Sequence, residues 1–138
     1  MSTSTREELE ALAIQGRAKA TAAFKSRDPK NIAACFCKDG SFINGRGAIP
    51  GGDVYQGYDA IVSFFEKLLE ETPDVNWTES SPPIINGNQI ITQWRRTATT
   101  KTGQKQDWLG LDIYTFKGTE VYCKNTFIKD VKQGSSKN

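Results

Sequence analysis

The feature that most constrains this 138-residue chain is a change of hydrophobic period near Pro73. Before it, apolar residues recur at the three-to-four spacing of helices. After it, β-branched and aromatic residues alternate in runs separated by turn signals. From Glu7 to Lys25, Leu9, Leu12, Ala13, Gly16, Ala20, Ala23 and Phe24 share one helical face, with Arg17, Lys19 and Lys25 falling largely between them. Asp28-Pro29 reads as an N-cap followed by proline at the first helical position, opening a short second helix through Ile32, Ala33 and Phe36. Asp39-Gly40 is expected to turn the chain into a strand at Ser41–Asn44, and Val54–Gln56 is expected to be extended. In the third helix, Tyr58–Glu71, Ile61, Phe64, Phe65, Leu68 and Leu69 line one face, and Asp59, Glu66, Lys67 and Glu70 take the other.

Four strands are predicted beyond Pro73: Val75–Ser80 with an extension toward Ile85, Gln89–Thr100, Lys105–Lys117 and Glu120–Val131. Asn86-Gly87-Asn88, Lys101-Thr102-Gly103 and Lys117-Gly118-Thr119 supply the hairpin turns. Helices first and a meander afterwards imply an α+β layer structure with helices over one face of a sheet. With no repeat or linker, the chain reads as a single domain over residues 1–133, followed by a flexible tail at 134–138.

Charge narrows the partners. Eighteen basic and sixteen acidic side chains are scattered along the sequence, so no basic face is expected for nucleic acid. No apolar run approaches the ~20 residues of a membrane span. The N-terminal stretch has neither a signal core nor a transit-peptide composition, and the chain reads as cytoplasmic. Cys35, Cys37 and Cys123 lack metal-site spacing and there is no histidine, so no metal or cofactor is expected, and His-dependent triads are excluded.

The element order, together with Phe24-Lys-Ser-Arg-Asp28, Phe36-Cys-Lys-Asp-Gly40, Tyr55-Gln-Gly-Tyr-Asp-Ala60, Gln93-Trp94-Arg95 and Gly110-Leu-Asp-Ile-Tyr-Thr-Phe116, resembles SnoaL-like and ketosteroid isomerase-like members of the nuclear transport factor 2 (NTF2)-like superfamily over roughly residues 7–131. The resemblance implies a cone-shaped fold, in which a curved antiparallel or mixed sheet wraps the N-terminal helices around an apolar pocket. It also implies a homodimer through the outer sheet face. The aliphatic strip Leu109, Leu111, Ile113 and Thr115 agrees with such a dimer.

Asp112 is the sharpest candidate for chemistry, because it interrupts the apolar run Trp108–Phe116, and a buried carboxylate there needs a partner or a proton. Alternation puts it on one face with Trp108, Gly110, Tyr114 and Phe116. By resemblance Asp112 stands where ketosteroid isomerases keep a protonated oxyanion donor, a case described for those enzymes in general. The competing reading is a carboxylate satisfied by a neighbouring strand or by Arg95 or Arg96. Under the first reading Asp112→Asn is expected to be neutral or stabilising. Asn44 stands where those enzymes carry a proton-abstracting aspartate and Ala20 where they carry a tyrosine, so steroid isomerisation does not carry over. Phe42-Ile43-Asn44 also resembles the Tyr-x-Asn segment of limonene epoxide hydrolases, whose Arg-x-Asp motif is missing here.

Asp112 and Asn44 are therefore the candidate catalytic residues, and Phe42, Tyr55, Trp94, Trp108 and Tyr114 the candidate ligand-binding residues. Two functions fit. One is a cofactor-independent isomerase, lyase or cyclase acting on a small apolar carbonyl compound. The other is a non-catalytic carrier or interaction module of the same fold.

Overall fold

The computed structural model describes residues 4–129. Helix α1 (Arg6–Ser26) starts on a capping box, in which Thr5 Oγ1 accepts from the Glu8 amide and Glu8 accepts from the Thr5 amide. It ends at Arg27, whose guanidinium donates to the carbonyls of Val75 and Pro73 and so ties the helix end to the start of the third strand. Helix α2 (Pro29–Ala34) has the expected Asp28 cap, with the carboxylate accepting from the Lys30 amide. Helix α3 (Tyr58–Glu71) buries Ile61 and Phe65 as the periodicity requires.

The strands are β1 (Phe36–Ile43), β2 (Val54–Gln56), β3 (Asn76–Asn86), β4 (Gln89–Thr99), β5 (Lys105–Lys117) and β6 (Glu120–Ile128). They form one sheet in the order β2-β1-β6-β5-β4-β3, antiparallel except where β1 meets β6. Helix α1 crosses the concave side over β3 to β6, while α3 packs against α2, β1 and β2. The apolar core fills one end of this cone, where Ile90, Phe116 and Val121 meet Ala13, Ala20 and Ala23 of α1 and Ile61 and Phe65 of α3. Gly16 is the point of closest approach: a Cβ there would lie 2.6 Å from the Phe116 ring and 2.7 Å from the Thr119 carbonyl.

Two expectations are corrected. Asp39-Gly40 is not a turn before the strand. β1 already begins at Phe36 and runs through both residues, absorbing them in a register irregularity against β6 between Phe36 and Ser41. Phe36 therefore belongs to a strand rather than to α2, which ends at Ala34 with Cys35 as its C-cap. The three thiols are free; Cys37 is buried, with its Sγ donating to the Val121 carbonyl. Gly87, Gly103 and Gly118 take positive φ in the three predicted hairpin turns. The predicted end of the last strand at Val131 and the tail at 134–138 lie outside the described residues.

Candidate functional site

Halfway along the cone the inward positions turn from apolar to polar. On β5, Asp112 follows Tyr114 and Phe116 on the same inward row, flanked by its cross-strand partners Thr92 on β4 and Thr126 on β6. All three are buried. Three donors converge on the Asp112 carboxylate: Lys124 Nζ at 3.1 Å and Thr126 Oγ1 at 2.5 Å reach Oδ1, and Trp94 Nε1 at 2.9 Å reaches Oδ2. Lys124 Nζ also donates to Thr126 Oγ1 at 3.1 Å. Its ammonium sits among Phe42, Tyr114 and Phe24, with ring centroids at 4.8, 5.9 and 5.4 Å.

A local cause puts Lys124 there. The β5–β6 pairing steps from Phe116↔Val121 to Thr115↔Cys123, leaving Tyr122 as an extra residue. This bulge reverses the parity of β6, so Val121 faces inward on one side of it, and Lys124 and Thr126 face inward on the other. On β5, Gly110 opposes Trp94, and a Cβ at Gly110 would fall 2.4 Å from the indole. The missing side chain lets Trp94 lie across the strand with Nε1 reaching Asp112.

The partner of Asp112 is therefore Lys124, and neither Arg95 nor Arg96. Arg95 faces outward in a bidentate pair with Asp107, at 2.8 and 2.5 Å. Arg96 faces inward, 6% exposed, and donates to Gln106 Oε1 at 2.9 Å and to Thr72 Oγ1 at 3.5 Å. The expectation of an apolar niche is corrected accordingly: the Asp112 carboxyl meets an ammonium, a hydroxyl and an indole N–H.

Two cavities open on this network, separated by Trp77, Trp94 and Lys124, which line both. The first, about 370 Å³, reaches Asp112, Tyr114 and Phe24 beneath α1. The second, about 590 Å³, lies toward the open end of the cone and is lined by Phe42, Asn44, Phe64, Arg96, Trp108 and Thr126 among others. Burial, reinforced by the Asp112 charge, pushes the Tyr114 phenol well above its ordinary value. Asn44 follows β1; its amide N–H is bonded to the Asp53 carbonyl, and it lines the second cavity. Tyr55 lies behind Phe42, with ring centroids 6.0 Å apart, and lines neither cavity. The structure thus gathers Asp112, Trp94 and Tyr114 at the first cavity and Phe42, Asn44, Trp94 and Trp108 at the second. Among the described residues no group of three or more Cys, Asp or Glu is placed to hold a metal ion, and no helix is long and apolar enough to cross a membrane.

Helices cradled by a strongly curved six-stranded sheet, with a polar floor halfway down the cone, define an NTF2-like fold. Solved structures share it. An NTF2-like protein from Burkholderia pseudomallei K96243 superposes with a TM-score of 0.73 at 16% identity, covering 85% of this chain and 90% of that one. A protein of ketosteroid isomerase-like fold from Catenulispora acidiphila, in complex with trimethylamine, gives 0.70 at 13% identity, with coverage of 81% and 83%. TerC, co-crystallised with polyporic acid, gives 0.72 at 16% identity, with coverage of 85% and 91%. No curated protein matches the chain in sequence. The family model for the SnoaL-like domain matches residues 18–122, and the chain belongs to that family.

Two outcomes follow from this geometry. Asp112→Asn leaves the buried Lys124 without a counter-charge, so it should cost about 3–5 kcal/mol, the reverse of the sequence expectation. Lys124→Met should cost a similar amount, while the double variant recovers most of the loss. Denaturant midpoints of the four proteins check this, and additive single losses would refute the coupling.

The second outcome concerns alkali. Because the folded Tyr114 phenol keeps its proton beyond the unfolded value of ~10, the unfolded chain ionises first. This tyrosine's contribution should be intact below that pH and fall away above it. Melting curves taken through alkaline pH should decline less steeply for Tyr114→Phe than for the wild type, and parallel declines would contradict the assignment.

Proposed function

We propose that this chain takes a small, largely apolar carbonyl compound into the cone and moves a proton on it without a cofactor, as an isomerase, lyase or cyclase. The observation that carries the reading is the unspent capacity of the buried pair. Lys124 uses two of its three N–H bonds on Asp112 and Thr126, and the third has no hydrogen-bond acceptor among the described residues. Asp112 Oδ2 accepts only from Trp94, which leaves a lone pair on a residue that lines the first cavity. A carbonyl oxygen on Lys124 would receive a charged donor among the rings of Phe24, Phe42 and Tyr114. Asp112 then removes a proton from the adjacent carbon, and the electron pair moves into the carbonyl to give an enolate held by the ammonium. Return of the proton to a different carbon isomerises the substrate. Attack of the enolate carbon on a second carbonyl closes a ring, and the new alkoxide takes the proton back. Tyr114 Oη, which has no hydrogen-bond partner among the described residues, stands beside this path as a further donor. Asn44 serves as a polar contact in the second cavity, not as a base.

One feature favours a second reading, that of a carrier. Three donors already engage the Asp112 carboxyl, which leaves it little freedom to turn toward a ligand. A bicyclic aryl ketone, α-tetralone, separates the two. Solvent deuterium should enter the carbon next to its carbonyl faster than in buffer, and Lys124→Met should slow this by about a hundredfold or more. Binding seen at the tryptophan indole N–H signals without exchange would make the protein a carrier, and no binding would refute both readings.

The same reading includes a homodimer through the convex sheet face, supported by Leu109 and Phe127, which stand nearly half exposed there beside Leu111. Light scattering should give twice the chain mass at micromolar concentration. Leu109→Lys with Phe127→Glu should halve it; a wild-type monomer would refute the assembly.

A further inference from the structure

The open end of the second cavity holds two positive charges on one indole. The guanidinium carbons of Arg96 and Arg46 lie 4.5 and 4.9 Å from the Trp108 ring centroid. Arg96 is buried, yet no carboxylate lies within ion-pair distance of it among the described residues; its partners are the neutral Gln106 and Thr72. Burial, and the proximity of Arg46 next, lower its pKa, while the more distant Asp74 acts the other way. Trp108 Nε1 is itself a buried donor with no acceptor. The cluster is therefore rich in donors and positive charge, and its acceptors are one amide and one hydroxyl.

Arg46 is held at this place by the loop after β1. The Asn44 amide donates to the Asp53 carbonyl and the Asp53 amide to the Arg46 carbonyl, at 2.9 and 3.2 Å. Gly52, at φ +83°, closes the loop where a Cβ would fall 2.1 Å from the Asn44 carbonyl oxygen. Around the cavity stand four basic residues, Arg46, Arg96, Lys101 and Lys124, and one acidic residue, Glu71, which is exposed and paired with neither arginine. Aromatic walls, including all three tryptophans of the chain, connect the arginine end to Lys124.

A buried guanidinium beside a second one is costly unless an anion sits between them. We propose that Arg46 and Arg96 form a carboxylate subsite, so that the ligand is an aromatic or similarly apolar carboxylic acid. Its acid group lies against the two arginines and its oxygenated end points toward Lys124. Guanidinium forks match a planar carboxylate two bonds at a time, and a 590 Å³ cavity has room for such a molecule lengthwise. This rests on the proposed function in one respect, that the cone takes a small molecule.

Hydrocinnamate and its neutral amide, hydrocinnamamide, test the two ideas separately, read by tryptophan fluorescence and by shifts of the indole N–H signals. The wild type should bind the acid at least about tenfold more tightly than the amide. Arg96→Gln and Arg46→Gln should each shrink that preference toward one by weakening the acid more than the amide, and Lys124→Met should leave it standing. Arg46 is exposed on the loop, so its variant carries the test if Arg96→Gln does not fold. Equal wild-type affinities would overturn the carboxylate subsite and leave the proposed function in place. A preference lost in Lys124→Met but kept in Arg46→Gln would overturn it too, by moving the anion to Lys124. Failure of both probes to bind would overturn subsite and function together.

Discussion

A lysine and an aspartate buried side by side in the middle of a sheet dictate much of what surrounds them. Removing each charge from water costs several kcal/mol, and attraction offsets this only when the remaining hydrogen-bonding capacity is largely met. Here Thr126 bridges the pair, accepting from Lys124 and donating to Asp112, while Trp94 covers the far carboxylate oxygen. Each helper needs its own backbone arrangement: the β6 bulge for Thr126 and Lys124, and the absent side chain at Gly110 for Trp94. A slip of one residue in either strand would turn these groups toward solvent and leave Asp112 alone, so the pair fixes the register at the point where the apolar core ends.

The same pair explains why the cone contains two spaces rather than one. Trp77 and Trp94 project from β3 and β4 into the gap between α1 and the sheet, and Lys124 rises from β6 to meet them. The first space keeps the Asp112 carboxylate and the phenol of Tyr114; the second keeps Arg46 and Arg96. The lining of the second space runs from Arg46, Arg96 and Trp108 to Lys124.

Secondary structure was legible wherever one period ruled a whole segment. The apolar face of Tyr58–Glu71 and the alternation of Lys105–Lys117 coincide with α3 and β5, and Gly87, Gly103 and Gly118 mark turns because positive φ suits glycine best. The irregular positions were not legible. Asp39-Gly40 carries a turn signal, but in the fold its extra length is absorbed within β1, opposite the parallel neighbour β6. Lys124 escaped for a related reason: in Val121-Tyr-Cys-Lys-Asn-Thr-Phe127, strict alternation from Val121 turns Cys123, Asn125 and Phe127 inward and Lys124 outward. Only pairing with β5 reveals the extra residue at Tyr122. Asp112 stood out because it broke a pattern; its partner did not, because a bulge had changed the pattern.

Charge shows the same limit on a larger scale. A net charge of +2 from 18 basic and 16 acidic residues describes a nearly neutral surface, and along the sequence the signs are well mixed. Folding separates them. Arg95 goes out to Asp107, Arg17 pairs with Glu79 and Lys117 with Asp39, all at partly or largely exposed positions where an ion pair contributes little. Arg96, the neighbour of Arg95, goes in, where no carboxylate of the described chain pairs with it and where the low dielectric strengthens its field. Strand alternation thus acts as a sorting device. From two adjacent arginines it makes one exposed ion pair and one buried positive charge facing the second cavity.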